Sequence, residues 1–480
     1  MKQIMNSATK DTVDAIAVPR GKSPARYAIA ARIERLPACR ALRQIVLLIA
    51  VGGWFEFYEL FLPSGISTGL VHDGIFTLGA KGLLDFGSFP SFLASFFLGM
   101  FFSTLLFSRL SDVLGRRFIF VWAMAGYSLC NVLIAVSSSP GWIDLFRFGA
   151  GLGVGTQLMN NDSFLAELLP RHIRGRYMAF AMAFILSATP VSVLLGTLFT
   201  PNAPLGISGW RWVVLAGALG GVLVWFIQRR VPESPRWLEA RGRLDAADAA
   251  MRKIEATIEA DYGPLPAPNT AVAEPKVRPG HWSEMFSRRY LPRTLALSVF
   301  QFCQTIPVFG FSTWVPVILV SRGYNVVHSL AYTTIILLSA PAGGVLGMFF
   351  AERFERKWQL VLTAIGIGAF GFAFAFAPNL PLILLSGVLL TLCSNWLIAV
   401  FHPYAAELFP TRIRAQAMGF TFCWSRVSAI FVGYWVAAIL AANGRSGVFV
   451  MIGAAMSLIV LSIGLFGPRT NGRRLEELAP

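Results

Sequence analysis

Apolar residues in this chain collect into long runs, and polar residues collect into short bursts between them. Twelve runs of about twenty residues recur, near 43–70, 88–108, 118–137, 141–165, 175–200, 210–228, 294–320, 329–350, 358–377, 381–405, 415–440 and 447–466. Each is long enough, at 1.5 Å per helical residue, to cross a hydrocarbon core of about 30 Å. The pattern predicts an all-α membrane protein of twelve spans, with both termini on one side.

The runs repeat as a block. "AELLPRHIRGRYMAF" at 166–180 aligns with "AELFPTRIRAQAMGF" at 406–420, an offset of 240, with eight identities in fifteen. "DVLGRR" at 112–117 aligns with "ERFERK" at 352–357 at the same offset. The first pair follows spans four and ten, the second follows spans two and eight. Two six-helix halves related as parallel repeats are what a carrier with a central site between rocking bundles requires. The expected divisions are a tail at 1–42, a bundle at 43–231, a linker at 232–290, a second bundle at 291–467 and a tail at 468–480. Within the linker, "ESPRWLEARGRLDAADAAMRKIEATIEA" predicts short amphipathic helices, and "GPLPAPNTAVAEP" an irregular Pro-rich stretch.

Charge then orients the molecule. The net charge is +16, yet only 14% of residues are charged and 55% are hydrophobic, which excludes a disordered or nucleic-acid-binding tail protein. Of 41 lysines and arginines, 35 fall in the N-terminal tail, the loops after even-numbered spans and the C-terminal tail. Lys81, Arg211, Arg322 and Arg445 lie on the other side, and Arg147 and Arg426 lie inside spans. The positive-inside rule therefore places both termini and the basic loops in the cytoplasm, with a bacterial inner membrane as the expected location. Residues 1–40 carry no apolar core of a cleaved signal, so the first span is expected to act as the insertion signal. The five cysteines show no disulfide or metal spacing. No ATP motif, nucleophile elbow or metal cluster occurs, so neither a primary pump nor an enzyme is expected, and no cofactor beyond the proton. "GAGLGVG" at 149–155 sits inside an apolar span with no preceding strand; it reads as a close helix-packing surface, not a nucleotide loop.

"SDVLGRR", "RFGAGLGVG", "PESPRWL" and "PRTNGRRLEEL" at their positions resemble the major facilitator superfamily. Within it they resemble the branch of sugar porters, organic-ion transporters and bacterial metabolite:proton symporters, over roughly 43–478. The resemblance implies two pseudo-symmetric six-helix bundles and secondary transport by alternating access. It also implies a cytoplasmic gate of charged residues: Asp112, Arg116, Arg117, Glu167 and Arg174 in one half, and Glu352, Arg356, Glu407 and Arg414 in the other. The arginines can pair with Glu167; plain topogenic charge is the alternative, and the second copy is degenerate, with Glu355 where the first has Gly115.

The acidic residues inside the first span, in "GGWFEFYELF", carry the coupling chemistry. Glu56 and Glu59 fall ~20 and ~24 Å from the inner edge of the core, and Arg147 ~9 Å from the outer edge, so all three share one slab. An acid and an arginine at one depth can neutralise each other, and protonating the acid breaks the pair. By resemblance, Glu59 falls on the proton-carrying acid of proton-coupled sugar porters and Arg147 on their matching arginine. Glu56 is an extra acid, for a second proton or a cationic part of the substrate. A static pair is the bland alternative, with Asp144 competing for Arg147 at i−3.

Arg426 falls ~17 Å deep with no acid in its own span, so an anionic substrate or an acid from another helix, such as Glu56, must answer it. Gln301 and Gln304 resemble the paired glutamines that bind sugar hydroxyls in sugar porters, one residue looser in spacing. Trp314 and Trp396 are candidates for the same cavity, with helix packing as the alternative. Asn160, Asn161 and Asp162, ~28–32 Å along the fourth span, are expected at the cytoplasmic end. Proton-coupled uptake of a small organic acid by a monomer in the lipid bilayer is the leading reading. A sugar or polyol symporter is the runner-up, and a facilitator, a drug antiporter or a membrane sensor ranks lower.

Overall fold

The computed structural model describes residues 29–79, 85–106, 113–268, 281–350 and 353–471. Asp112 and Glu352 lie outside the described residues, as does the side chain of Asp162. The chain is built of helices: α1 (Ile29–Glu34), α2 (Arg40–His72), α3 (Phe89–Leu106), α4 (Arg116–Val136), α5 (Pro140–Leu168), α6 (Arg171–Leu186), α7 (Ala188–Phe199), α8 (Gly209–Arg230), α9 (Pro235–Ala240), α10 (Leu244–Tyr262), α11 (Leu291–Ser312), α12 (Val315–Val320), α13 (Val326–Leu337), α14 (Ala340–Phe350), α15 (Arg356–Phe376), α16 (Leu380–Glu407) and α17 (Thr411–Phe466). No strand occurs among the described residues. Pairs α6–α7, α11–α12 and α13–α14 each continue one span across a short break. α17 instead holds two spans, separated at Gly444, whose φ of 62° is open to glycine and strained for other residues.

Local chemistry sets the helix starts. The Asn379 side chain accepts from the Leu382 amide at 3.1 Å, and Asn325 accepts from His328 at 2.8 Å, capping α16 and α13. Pro140 opens α5 at a position whose N–H has no helical partner anyway.

Glycines in α5 then bring its neighbours close. A Cβ on Gly151 would lie 2.1 Å from the Phe96 carbonyl oxygen, and one on Gly155 2.1 Å from Ser103 Oγ, both on α3. Gly149 and Gly153 face α4, with Cys130 Sγ and the Ala123 carbonyl oxygen each 2.9 Å from the added carbon. The run "GAGLGVG" therefore seats α5 between α3 and α4, the packing role expected of it.

The two halves meet at the end away from the basic loops. Ser64 Oγ donates to the Ser312 carbonyl at 2.8 Å, and the Thr197 and Thr334 hydroxyls are 3.1 Å apart. Phe97 and Phe61 both pack on Phe309, and Phe89 meets Trp314 edge to face. The linker helices sit on the first half. Arg32 and Arg35 clamp Glu255 of α10 at 2.5 Å each, and Asp261 accepts from the Ala41 amide at 2.8 Å, at the start of α2. Glu34 faces Arg171 and Arg236 at 3.6 and 3.8 Å.

Candidate functional site

Glu59 and Arg147 form a pair sealed from solvent, each 0% exposed. Arg147 Nη1 donates to Glu59 Oε2 at 2.7 Å, and Nη2 donates to the Glu59 carbonyl oxygen at 2.7 Å. Asn131 of α4 donates to the other carboxylate oxygen at 2.5 Å. Phe92 and Phe96 of α3 lie 4.9 and 4.1 Å from the guanidinium, so aromatic faces cover the cation. α8 passes this site at Gly217, where an added Cβ would come within 2.3 Å of Glu59 Oε1. The depth match thus corresponds to a direct pair, and a charge change on either partner leaves the other uncompensated in a dry core.

Glu56 is separate from that pair. It is buried, and its Oε1 accepts from Asn161 Nδ2 at 2.5 Å. Asn161 therefore joins the interior rather than the cytoplasmic end, while Asn160 donates to the Arg116 carbonyl at 2.9 Å, at the loop end. Gln157, one turn from Asn161, is fully buried, with its amide beside Gly52 of α2. Asp144 does not pair with Arg147; its Oδ2 contacts Ser91 Oγ at 2.7 Å.

Arg426 is half-buried on α17, and no carboxylate lies within ion-pair distance of it among the described residues. The pairing with Glu56 left open above is not formed. Gly433, two turns along the same face, touches Pro90 and Leu93 of α3. Gly419, two turns the other way, is exposed, with nothing within 4 Å of an added Cβ. The stripe bearing Arg426 thus meets the other half at Gly433 and is exposed at Gly419.

Gln304 Nε2 donates to Gln301 Oε1 at 3.2 Å, leaving Gln301 Nε2 and Gln304 Oε1 without a partner. The two tryptophans lie elsewhere. Trp314 is fully buried against Phe89 in the seam between the halves. Trp396 donates to Gln359 of α15 at 3.2 Å and stacks on Phe350 of α14, so it faces its own bundle. Packing, not cavity lining, accounts for both.

The charged loops show a twofold pattern. Arg116 donates to Glu167 Oε1 at 2.9 and 3.0 Å, and Arg356 donates to both oxygens of Glu407 at 2.6 and 2.7 Å, the same pair 240 residues on. Arg174 donates to the Leu169 carbonyl and Arg414 to the Phe409 carbonyl, again at that offset. Each of these contacts lies within its own half. Arg116, not Arg117, engages Glu167; Arg117 donates through its backbone N–H to Glu233 at 3.0 Å. Glu167 also accepts from Ser234, tying the "PESPRWL" segment to the C-terminal end of α5.

Asn131 and Gly217 escaped sequence reading. A lone asparagine in the apolar run at 118–137 was the available signal for the first. Nothing in the pattern distinguishes Gly217 from its neighbours.

A family model described as "Sugar (and other) transporter" matches residues 88–480. The chain belongs to that family. It is a membrane transporter rather than an enzyme, with the all-α fold of the major facilitator superfamily. It is 32% identical to the putative metabolite transport protein YyaJ of Bacillus subtilis, over 92% of this chain and 96% of that protein. It is 28% identical to the niacin transporter NiaP of Acinetobacter baylyi, over 94% of this chain and 99% of that protein. The fold matches the proton:xylose symporter XylE bound to 6-bromo-6-deoxy-D-glucose with a TM-score of 0.68, at 22% identity, covering 91% of this chain and 98% of that one. It matches the inward open conformation of XylE from E. coli with a TM-score of 0.70, also at 22% identity, covering 91% and 99%.

Proposed function

We propose that this transporter carries a small organic acid inward together with a proton, by alternating access, in a bacterial inner membrane with both termini in the cytoplasm. The observation that carries the reading is the different state of the two cations inside the spans. Arg147 is answered by Glu59 within the protein, whereas Arg426, half-buried inside a span, has no carboxylate within ion-pair distance among the described residues. A cation inside a membrane span without an anion is costly, so a carboxylate substrate is its natural complement.

Glu59 is the proton carrier in this reading. As the carboxylate it holds Arg147; once protonated it is neutral, and the pair loses its charge term. A proton can shift the balance between conformations only by as much as it binds one of them better, and a charge pair sealed in a dry core supplies that difference. With the halves sealed away from the basic loops, the arrangement corresponds to the inward-facing state, in which substrate leaves to the cytoplasm. The niacin transporter among the relatives is named for a carboxylic acid, which supports the choice of substrate class.

A sugar or polyol is the second reading, favoured by the unused amide groups of Gln301 and Gln304. Uptake by proteoliposomes separates the two. Transport of a carboxylate but not of its primary amide, abolished by Arg426→Gln and spared by Gln304→Ala, is expected. Sugar uptake that survives Arg426→Gln would overturn the carboxylate assignment.

A further inference from the structure

Asp144 is a buried carboxyl group that the Glu59–Arg147 mechanism leaves unused. It is 2% exposed on α5, one turn before Arg147, and no cation lies within ion-pair distance of it among the described residues. Its Oδ1 has no hydrogen-bond partner. Its Oδ2 lies 2.7 Å from Ser91 Oγ, which also lies 2.8 Å from the Ser88 carbonyl oxygen. A serine hydroxyl has one hydrogen for these two contacts, and a carbonyl oxygen can only accept. With that hydrogen on Ser88, the contact to Asp144 becomes a full hydrogen bond when Asp144 supplies the proton. A bare carboxylate at this depth, lacking both a cation and a second donor, would carry the full cost of an uncompensated charge.

We infer that Asp144 is the alternate partner of Arg147, and that the two carboxyl groups exchange one proton while the guanidinium follows the negative charge. The inference rests on the reading of Glu59 as proton carrier. Residues three apart on a helix have Cβ atoms about 5–6 Å from one another, so Arg147 reaches Asp144 by changing rotamer, without moving α5. In the state described here Glu59 is a carboxylate paired with Arg147, and Asp144 holds a proton. In the other state Glu59 has gained the proton that Asp144 lost, and Arg147 pairs with Asp144. Both of these states hold one proton and no net charge, so neither leaves a bare ion in the core; a proton released from Glu59 in the second state and another taken up by Asp144 return the trio to the first, one proton having passed. Asp144 lies on the side of Arg147 toward the sealed end, which places it on the route of a proton arriving from that side. The other groups around the trio are uncharged at neutral pH: Ser88, Ser91 and the Phe92 and Phe96 rings of α3, Asn131, Tyr127 and the Cys130 thiol of α4, and Tyr58 of α2. Arg211, at the mouth of α8, is engaged with the Ala135 carbonyl and Ser138.

Infrared spectroscopy of the reconstituted protein tests the exchange apart from transport. The wild type is expected to show a protonated-carboxyl band that Asp144→Asn removes and Ser91→Ala shifts. Glu59→Gln, which leaves Arg147 without its first partner, is expected to abolish the same band, because Asp144 then ionises to receive the guanidinium. Persistence of the band in Glu59→Gln, or a band unaffected by Asp144→Asn, would overturn the exchange while leaving a proton-carrying Glu59 untouched. In proteoliposomes, Asp144→Asn is expected to lower proton uptake with substrate at least about tenfold and to flatten its pH profile, with Asp144→Glu restoring both. Where Asp144→Asn does not assemble, Ser91→Ala and Glu59→Gln decide by the band alone. A wild type that moves no protons would instead remove the reading of Glu59 on which the inference stands, and Glu59→Gln proteoliposomes run in parallel would show that failure separately.

Discussion

Substituting Gly217 probes the coupling pair without touching a charge. An alanine Cβ there would stand 2.3 Å from Glu59 Oε1, 3.0 Å from Asn131 Nδ2 and 3.2 Å from the Tyr58 ring. Ordinary contact begins near 3.4 Å, so the carboxylate oxygen must move by about 1 Å. It is held at 2.5 Å by Asn131 and at 2.7 Å, through its twin oxygen, by Arg147. A shift of that size removes at least one bond to a charged group, worth about 1.5–3 kcal/mol, or roughly ten- to a hundredfold in an equilibrium constant. Gly217→Ala is therefore expected to lower the melting temperature and to cut proton-driven uptake by that factor. Glu59→Asp shortens the side chain by about 1.5 Å and makes room for the new methyl. The two substitutions should then be non-additive, with a coupling of about 0.5–3 kcal/mol in a double-mutant cycle read by thermal unfolding and initial uptake rate. Gly126, with nothing within 4 Å of an added Cβ, is the control, and Gly126→Ala should be silent. Additive effects, or equal loss at both glycines, would refute the claim that α8 holds the Glu59 carboxylate in place.

Three further outcomes follow from the geometry. Reversing the Arg356–Glu407 pair one residue at a time should impair uptake, and the double swap Arg356→Glu with Glu407→Arg should recover much of it; a double swap no better than either single would contradict a role for the pair as such. The Arg116–Glu167 pair should behave alike, whereas Arg117→Gln, whose side chain does not engage Glu167, should cost less than Arg116→Gln. Acid should loosen α10 from α1: burial works to raise the Glu255 carboxyl, but the Arg32 and Arg35 guanidiniums outweigh it and hold it below its usual value of 4.5. Stability from a depressed carboxyl is complete above that value and is lost as pH falls below it, so the hydrogen-exchange protection factors in 244–262 should fall below pH 4.5 and stay level between 5 and 8.

The depths of residues along the spans were legible in the sequence, and their directions around the helix axes were not. Counting 1.5 Å per residue placed Glu59 and Arg147 in one slab, and the structure joins them. Trp396 was a candidate for the cavity of Gln301 and Gln304, yet its side chain turns to Gln359 and Phe350, because hydropathy in a uniformly apolar span carries little information on rotation. Asn161 was assigned to the cytoplasmic end by the same count, but helical side chains lean toward the N-terminus, which in α5 carries Asn161 inward to Glu56. The partners supplied by other helices, Asn131 to Glu59 and Ser91 to Asp144, depend on which helices become neighbours. The glycine run of α5 hinted at close packing but named no partner. The 240-residue repeat was the strongest guide: Arg356–Glu407 and Arg414–Phe409 reproduce contacts of the first half, despite Glu355 in place of Gly115.

The central claim is that proton and carboxylate move together through Glu59, Arg147 and Arg426. Its most direct test is the pH inside proteoliposomes holding the purified protein, while carboxylates and then sugars are added outside. Acidification with one carboxylate, lost in Glu59→Gln and in Arg426→Gln, is the predicted result. Exchange of labelled for unlabelled substrate with no proton movement in any of the three proteins would contradict it, leaving a uniporter in which Glu59 and Arg147 are a fixed structural pair.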